Sequence, residues 1–308
     1  MSEKNHGTPF FSAQQGVGMT PFSVCRDIAK KNGSPLFLVS RLLGARKRRL
    51  FITAYAAMRI VDDLVDEHFF TRDIRERAAI KDGILRRIDL WRQQAVAAST
   101  GDFQPVEDSF EPMVFVGLNE TAGISDLGPW PWTALAGAME QDVREREIVT
   151  WNDFLEYCEG ATVAPAATFA YILACQVREG RYVLEQAPGY CQDHVRDMAI
   201  FCYLIHIIRD LAKDVKKHAQ LITIPRDFLA AAGLTRATLG ESLEREASME
   251  SLIRAMLEQA GRLLASGQPT IDRIPLLRLE KWILQQLLSK YIQLFQQLRA
   301  RPTRFLKP

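Results

Sequence analysis

The chain has no surplus of one charge, no closely spaced cysteine pair and no long apolar run. Its 308 residues include 39 lysines and arginines and 37 aspartates and glutamates, so the net charge does not favour a nucleic acid partner. The five cysteines are scattered without a CxxC pair, which argues against a disulfide framework or a zinc site. The longest nearly apolar run, 198–208, is too short to span a bilayer. We therefore expect a soluble, cytoplasmic protein.

Sustained alternation of apolar and polar residues is also absent, which argues against a β-sheet domain. Residues that favour helices, with apolar positions at helical spacing, fill most of the chain instead. Stretches that contain glycine or proline separate them. The predicted helices cover residues 41–70, 74–98, 132–146, 151–177, 192–217, 236–266 and 275–299.

No internal repeat or low-complexity linker divides the chain. We predict one all-α domain over residues 21–300, with a loose tail at 1–20 and a basic tail at 301–308. The core of such a domain lies between helices. Helical proteins build metal and ligand sites there from facing side chains.

Residues 58–67, MRIVDDLVDE, place acidic side chains in a helix that is otherwise apolar almost all round. On a helical wheel one sector holds the polar side chains Tyr55, Arg59, Asp62, Asp63 and Asp66. Two carboxylates one turn apart repel each other, and the repulsion grows where water is scarce. We expect a cation to compensate them, and all-oxygen ligands suit Mg²⁺, which also binds substrate phosphate. A solvated acidic face is the alternative.

Residues 202–214, CYLIHIIRDLAKD, repeat the pattern. His206, Asp210 and Asp214 line one strip of this helix, and Arg209 lies beside them. Two acidic pairs on separate apolar helices, each with an arginine, predict a site that holds metal ions and a phosphorylated ligand between them. His206 is either part of this site or a core histidine satisfied by a hydrogen bond.

The order of these motifs resembles that of the squalene and phytoene synthases, a family of all-helical head-to-head prenyltransferases. The resemblance covers about residues 34–305. The opening segment ends in a D-x-x-x-D motif, matched by Asp62 and Asp66, and GAMEQDV and FLEYCEGAT resemble the middle region. HIIRDLAKD resembles the second motif, N-x-x-x-D-x-x-x-D, with His206 in place of the asparagine. The implied fold is a single-domain isoprenoid-synthase-type helical bundle with a central cavity.

The resemblance implies a Mg²⁺-dependent enzyme that joins two prenyl diphosphates, with farnesyl diphosphate the preferred substrate. The product would be a C30 or C40 isoprenoid, and diphosphate would be released. The implied metal ligands are Asp62, Asp66, His206, Asp210 and Asp214. The implied diphosphate ligands are Ser34, Tyr55, Arg59 and Arg209. The implied catalytic residues are Tyr55, Arg59, Asp62, Tyr157 and Asp210.

Departures from the family pattern leave other functions open. Tyr203 replaces a glutamine, and residues 221–225 replace the family's R-x-Y-L-P segment. One alternative is an enzyme that ionises a single prenyl diphosphate, then cyclises it or passes the prenyl group to another acceptor. Another is a non-catalytic partner subunit that binds prenyl diphosphates. NADPH use, substrate chain length and oligomeric state are left open.

Two basic segments are candidates for peripheral contact with an anionic membrane. One is the run RKRR at 46–49. The other is the C-terminal tail, which ends with Phe305 and Leu306. Their alternatives are a solvated basic turn and a frayed end.

Overall fold

Helices provide nearly all the regular structure in the part of the chain that the structure describes. The computed structural model describes residues 19–31, 35–218, 223–243 and 246–306, so most of the predicted N-terminal tail, Ser34 and residues 221–222 lie outside it. The all-α prediction is confirmed. The helices are α1 (Pro21–Lys31), α2 (Pro35–Ser40), α3 (Ala45–Asp63), α4 (Ile74–Thr100), α5 (Pro112–Asn119), α6 (Trp130–Val143), α7 (Trp151–Cys158), α8 (Ala164–Ala174), α9 (Tyr190–His218), α10 (Arg226–Ala231), α11 (Leu239–Ser242), α12 (Glu246–Ile271) and α13 (Arg278–Ala300).

Local side-chain chemistry sets the ends of α4. The Asp73 carboxylate accepts hydrogen bonds from the backbone N–H groups of Arg75 and Glu76, and the Glu76 side chain accepts one from the N–H of Asp73. This reciprocal arrangement satisfies N–H groups that have no partner inside the helix. Gly101 ends the helix with a φ of 87°, which glycine adopts at little steric cost.

Two π-helical turns continue helices into the interior. Leu64–Phe69 extends α3, and Glu159–Val163 joins α7 to α8. A π turn inserts a residue and rotates the side chains that follow it, and such turns are frequent at functional sites. The second turn also requires glycine, because a Cβ at Gly160 would lie 2.1 Å from the carbonyl oxygen of Ala134 on α6.

A short hairpin follows α8, so the predicted helix 151–177 is wrong at its end. Strands β1 (Gln176–Arg178) and β2 (Arg181–Val183) pair antiparallel. Glu179 and Gly180 have φ values of 49° and 83° between them, as the two central residues of a type I′ turn do.

Tertiary hydrogen bonds hold this hairpin against the bundle. The carbonyl oxygen of Tyr182 accepts from the Tyr171 hydroxyl at 2.9 Å, and the Tyr182 hydroxyl donates to the carbonyl oxygen of Arg46 at 3.0 Å. These partners are distant in sequence. Local helical periodicity therefore gave no sign of the hairpin.

Helix boundaries also differ from the prediction near the C-terminus. The predicted helix 236–266 is divided between α11 and α12, and α12 continues past the predicted break to Ile271. Pro269 falls in the last turn of α12, where its missing N–H removes only a terminal hydrogen bond. The helices α1, α2, α5 and α10 were not predicted. For α2, α5 and α10, which have eight residues or fewer, so few turns give a weak apolar period.

The helices that carry the two acidic motifs run through the core. On α3, Leu50, Ala57 and Val61 are fully buried, and the Trp91 indole of α4 donates to the carbonyl oxygen of Ala57 at 2.8 Å. Helix α9 packs against α8, α12 and α13. All five cysteines are free thiols. Within the described ranges, no helix is long and apolar enough to cross a membrane.

Candidate active site

The first acidic strip lies where α3 passes into its π turn. Arg59 donates from Nη1 to Asp62 Oδ2 at 2.7 Å and also pairs with Asp63. The Nη2 atom of Arg59 also lies 4.0 Å from Glu67 Oε1. One guanidinium therefore faces three carboxylates, and Asp66 adds a fourth acidic group to the same strip.

This surplus of negative charge changes the ionisation of Asp62. Burial raises its pKa to about 7, repulsion from Asp66 adds to the rise, and Arg59 opposes it. The side chain is still 39% exposed. A carboxylate in this state is stabilised by a cation that arrives from solvent.

Asp142, near the end of α6, is a site residue that was not predicted. Burial raises its pKa to about 8, with repulsion from Asp66 and Asp62 contributing, although the Tyr157 hydroxyl donates to its Oδ2 at 3.1 Å. Asp142 therefore shares the electrostatic field of the first strip. The only sequence sign of it was its place in the family-like segment GAMEQDV.

An aromatic group connects Asp142 to the second acidic helix. Tyr157 and Tyr203 have ring centroids 6.5 Å apart, and Phe154 stacks on Tyr203 at 6.2 Å. Burial raises the pKa of both tyrosines, so both hydroxyls stay protonated. The Tyr203 hydroxyl lies 3.4 Å from Thr223 Oγ1. Aromatic faces of this kind attract cations.

The second acidic strip is already paired within α9. Arg209 donates to both carboxylate oxygens of Asp210, at 2.8 and 2.7 Å, and His206 Nε2 lies 2.9 Å from Asp210 Oδ2. The hydrogen bonds from Arg209 lower the pKa of Asp210. Burial and the Arg209 charge lower the pKa of His206, so its imidazole is neutral at pH 7. Asp214 is exposed one turn further on.

The oxygen-rich first strip fits Mg²⁺ better than the second strip does. Among the described residues, no group of three or more His, Cys, Asp or Glu side chains is placed to hold a metal ion. Mg²⁺ commonly takes one or two carboxylates and completes its shell with water and substrate phosphate. Asp62 and Asp66 match that pattern. On the second strip the imidazole of His206 is a poorer Mg²⁺ ligand than an oxygen.

An apolar cavity of about 500 Å³ lies between α8, α9 and α13. Arg209 and Tyr291 line it beside the second strip, and the rest of the wall is mainly aliphatic. Phe169 in that wall packs edge-on against Phe51 at 5.9 Å, and Phe51 stacks on Tyr55 at 5.8 Å. The ring sequence from Tyr55 to Phe169 thus connects the first acidic helix to the cavity.

The structure places the predicted residues on two helices that the Asp142, Tyr157 and Tyr203 contacts connect. Tyr55, Arg59, Asp62 and Asp66 lie along α3 and its π turn, and His206, Arg209, Asp210 and Asp214 lie along α9. Tyr157 belongs between them through Asp142 and Tyr203. The position of Ser34 lies outside the described residues.

Comparisons with known proteins agree with this architecture. The sequence profile of the squalene/phytoene synthase family matches residues 29–307. Two proteins named 15-cis-phytoene synthase are each 25% identical to this chain. The protein from Enterobacter agglomerans matches over 240 residues, 77% of this chain and 72% of that protein, and the protein from Pantoea ananas over 239 residues, 77% of this chain and 70% of that protein.

Solved structures show the same fold. Squalene synthase HpnC from Alicyclobacillus acidocaldarius superposes with a TM-score of 0.70 at 19% identity, over 91% of this chain and 94% of that chain. A dehydrosqualene synthase in complex with ligand superposes with a TM-score of 0.65 at 17% identity, over 91% of this chain and 87% of that chain. The isoprenoid-synthase-type bundle predicted from the sequence is confirmed.

Proposed function

The chain belongs to the squalene/phytoene synthase family and is a prenyl-transferring enzyme, and from that premise we propose its reaction. It joins two molecules of farnesyl diphosphate head to head, depends on Mg²⁺, and releases diphosphate to give a C30 isoprenoid. The observation that carries the proposal is the arrangement of acidic side chains along the first strip, where Asp62, Asp63 and Glu67 surround the single guanidinium of Arg59. The membership also removes the non-catalytic binding subunit from the alternatives.

The residues of the first strip prepare the departure of diphosphate. Mg²⁺ held by Asp62 and Asp66 would supply positive charge to the leaving group. Arg59, already fixed by its pairs with Asp62 and Asp63, orients the same group through its remaining donors. Asp142 lies behind the strip and accepts the hydrogen bond that holds the Tyr157 hydroxyl in place.

The prenyl cation left behind must be kept from water. The cavity wall of Phe169, Leu287 and Leu288 excludes water from the prenyl chain. The rings of Tyr157 and Tyr203 lie beside Asp142, and electron-rich rings near the site stabilise a cation. The protonated state of both tyrosines prevents them from acting as anionic nucleophiles that would end the reaction early. Reduction by NADPH is not part of the proposal.

The test is incubation with Mg²⁺ and farnesyl or geranylgeranyl diphosphate, followed by assay of released diphosphate and mass analysis of the product. Farnesyl diphosphate should give a product with twice its carbon number. Asp62→Asn serves as the inactive reference, and Asp82→Asn, on the exposed side of α4, as the matched control. Absence of diphosphate release with both substrates would overturn the proposal.

A second candidate is an enzyme that ionises one prenyl diphosphate and does not couple it to another. The Arg209, His206 and Asp210 network favours it, because the second strip is occupied by its own partners. The same assay separates the two reactions. Diphosphate release with a product that keeps the carbon number of the substrate would favour the second candidate.

A further inference from the structure

The two basic segments predicted to contact a membrane do not present all of their charged and apolar side chains to solvent. In the run 46–49, Lys47 is largely buried against Glu280, and Arg49 pairs with Glu120 at 2.5 Å. In the C-terminal tail, Leu306 is buried in the core. A larger surface that includes Arg46 carries the features that a membrane contact needs.

Large apolar side chains are exposed where α3 and α13 begin. Leu42 precedes α3 and is 48% exposed. Around the start of α13, the exposed fractions of Leu277, Leu279 and Trp282 are 68%, 48% and 50%. Residues of this size are normally withdrawn from water when several lie together, and exposed apolar patches commonly mark interaction sites.

Buried contacts place these helix starts at one end of the bundle. Lys47 Nζ, in the first turn of α3, donates to Glu280 Oε1 at 2.9 Å and to the carbonyl oxygen of Leu173 at 2.6 Å. The Tyr182 hydroxyl brings the hairpin to the same turn through Arg46. The starts of α3 and α13, the end of α8 and the hairpin therefore meet here.

Cations surround the exposed apolar residues. The acidic residue at the centre, Glu280, is buried and neutralised by Lys47. Four exposed arginines at this end form no ion pair within the described ranges: Arg41, Arg46, Arg181 and Arg278. We call the surface made by Leu42, Leu277, Leu279 and Trp282 with these four arginines the basic–apolar face.

We propose that the basic–apolar face docks the enzyme on the surface of an anionic lipid bilayer. Tryptophan and leucine enter the boundary between headgroups and acyl chains, and arginine pairs with lipid phosphate. A second copy of the chain is a poorer occupant. A symmetric contact would bring the same unpaired arginines of both copies together, and like charges oppose such a contact.

The apolar cavity ends near this face. Leu284 lines the cavity and follows Trp282 by two residues, about 3 Å along the helix axis. Tyr291, which lines the cavity beside the second strip, lies seven residues further along α13, about 10 Å along the helix axis. Docking therefore places the Leu284 end of the cavity next to the lipid, and the acidic strips lie farther from it. That relation rests on the proposed function, because an apolar product would leave there, whereas docking itself requires no turnover.

The test measures sedimentation of the full chain with vesicles of phosphatidylcholine, with or without phosphatidylglycerol. We expect binding to the anionic vesicles that falls as salt is raised and is weak on phosphatidylcholine alone. Leu279→Ser with Trp282→Ser should lower the partition coefficient about tenfold or more. Arg278→Glu should lower it at least fivefold.

Ile74→Ser is the matched control, because Ile74 is 65% exposed beyond the opposite end of α3. It should bind vesicles as the parent chain does, and the double serine variant should release diphosphate from detergent-dispersed substrate at the parent rate. No binding to anionic vesicles, or equal binding by the double variant, would overturn the proposal. The proposal would also be overturned if the double variant bound vesicles normally but had a smaller assembly mass in solution than the parent chain. That result would identify the face as a contact between copies. Vesicle binding without diphosphate release would instead contradict the proposed function.

Discussion

The first and second acidic strips have similar residues and opposite charge balance. At Asp62, burial and the repulsion from Asp66 outweigh the single guanidinium of Arg59, and the pKa is raised to about 7. At Asp210 the Arg209 guanidinium binds both carboxylate oxygens, and the pKa is lowered. The charges that act most on Asp210 all come from its own helix. A cation is thus needed at the first strip, whereas at the second it must compete with groups already bound.

The largest expected effect separates the strips directly. Asp62→Asn should reduce kcat/KM for diphosphate release by about 10³-fold, and Asp210→Asn by about 10²-fold, because Arg209 already neutralises part of the second strip. Steady-state diphosphate release measures both. Asp82→Asn should leave the rate unchanged. Equal losses in the two variants would show that the charge difference has no bearing on turnover.

Asp142→Asn tests whether the first strip extends to α6. We expect kcat to fall about tenfold to 10²-fold. The Mg²⁺ concentration for half-maximal rate should rise, because a nearby cation favours the ionised form of Asp142 and an amide cannot supply that charge. Tyr157→Phe is the comparison, since it removes the hydrogen bond and keeps the carboxylate. If Asp142→Asn changes kcat but not the Mg²⁺ requirement, Asp142 acts through Tyr157 alone.

The stability of the metal-free protein should depend on pH through the first strip. The raised pKa values of Asp62 and Asp142, about 7 and about 8, mean that the folded state binds more protons than the unfolded state above about pH 4. Their contribution is therefore fully present below about pH 4 and is lost progressively until pH passes those values. We expect the Tm to fall between about pH 4 and pH 8.

Asp62→Asn should flatten this dependence, and Mg²⁺ should raise the Tm more at the upper pH than at the lower. Thermal melts in chelator and in Mg²⁺ measure both effects. The lowered pKa of Asp210 acts in the opposite sense, but only in more acidic solution. A Tm that rises through this window in both proteins would contradict the assigned charge states.

The smallest expected effect is that of His206→Asn. An amide oxygen suits Mg²⁺ better than an imidazole nitrogen, so we expect a threefold to tenfold lower Mg²⁺ requirement, about 1 kcal/mol, with kcat within a few-fold. His194→Asn, near the start of the same helix, is the control. A higher Mg²⁺ requirement in His206→Asn would identify the imidazole as a ligand in its own right.

Sequence periodicity located α3 and α9 because each is long, strongly apolar and interrupted only by its acidic strip. Asp142 was missed for a physical reason. It lies among other acidic and basic residues in GAMEQDVRERE, and only its packing against Tyr157 distinguishes it from them. The ion pairs that Lys47 and Arg49 form with distant residues were missed for the same reason. Lys47 pairs with Glu280 on α13, and local sequence patterns do not reveal a contact between residues so far apart.

The wall that α13 gives to the cavity is the last part of the bundle to be synthesised. Both acidic strips leave the ribosome while Leu284, Leu287 and Tyr291 are still to be added. A nascent chain therefore has the charged groups of the site before it has the apolar wall. A chain truncated before α13 should expose the α8 and α9 surfaces that α13 covers, and be a target for chaperones and proteases rather than a slow enzyme.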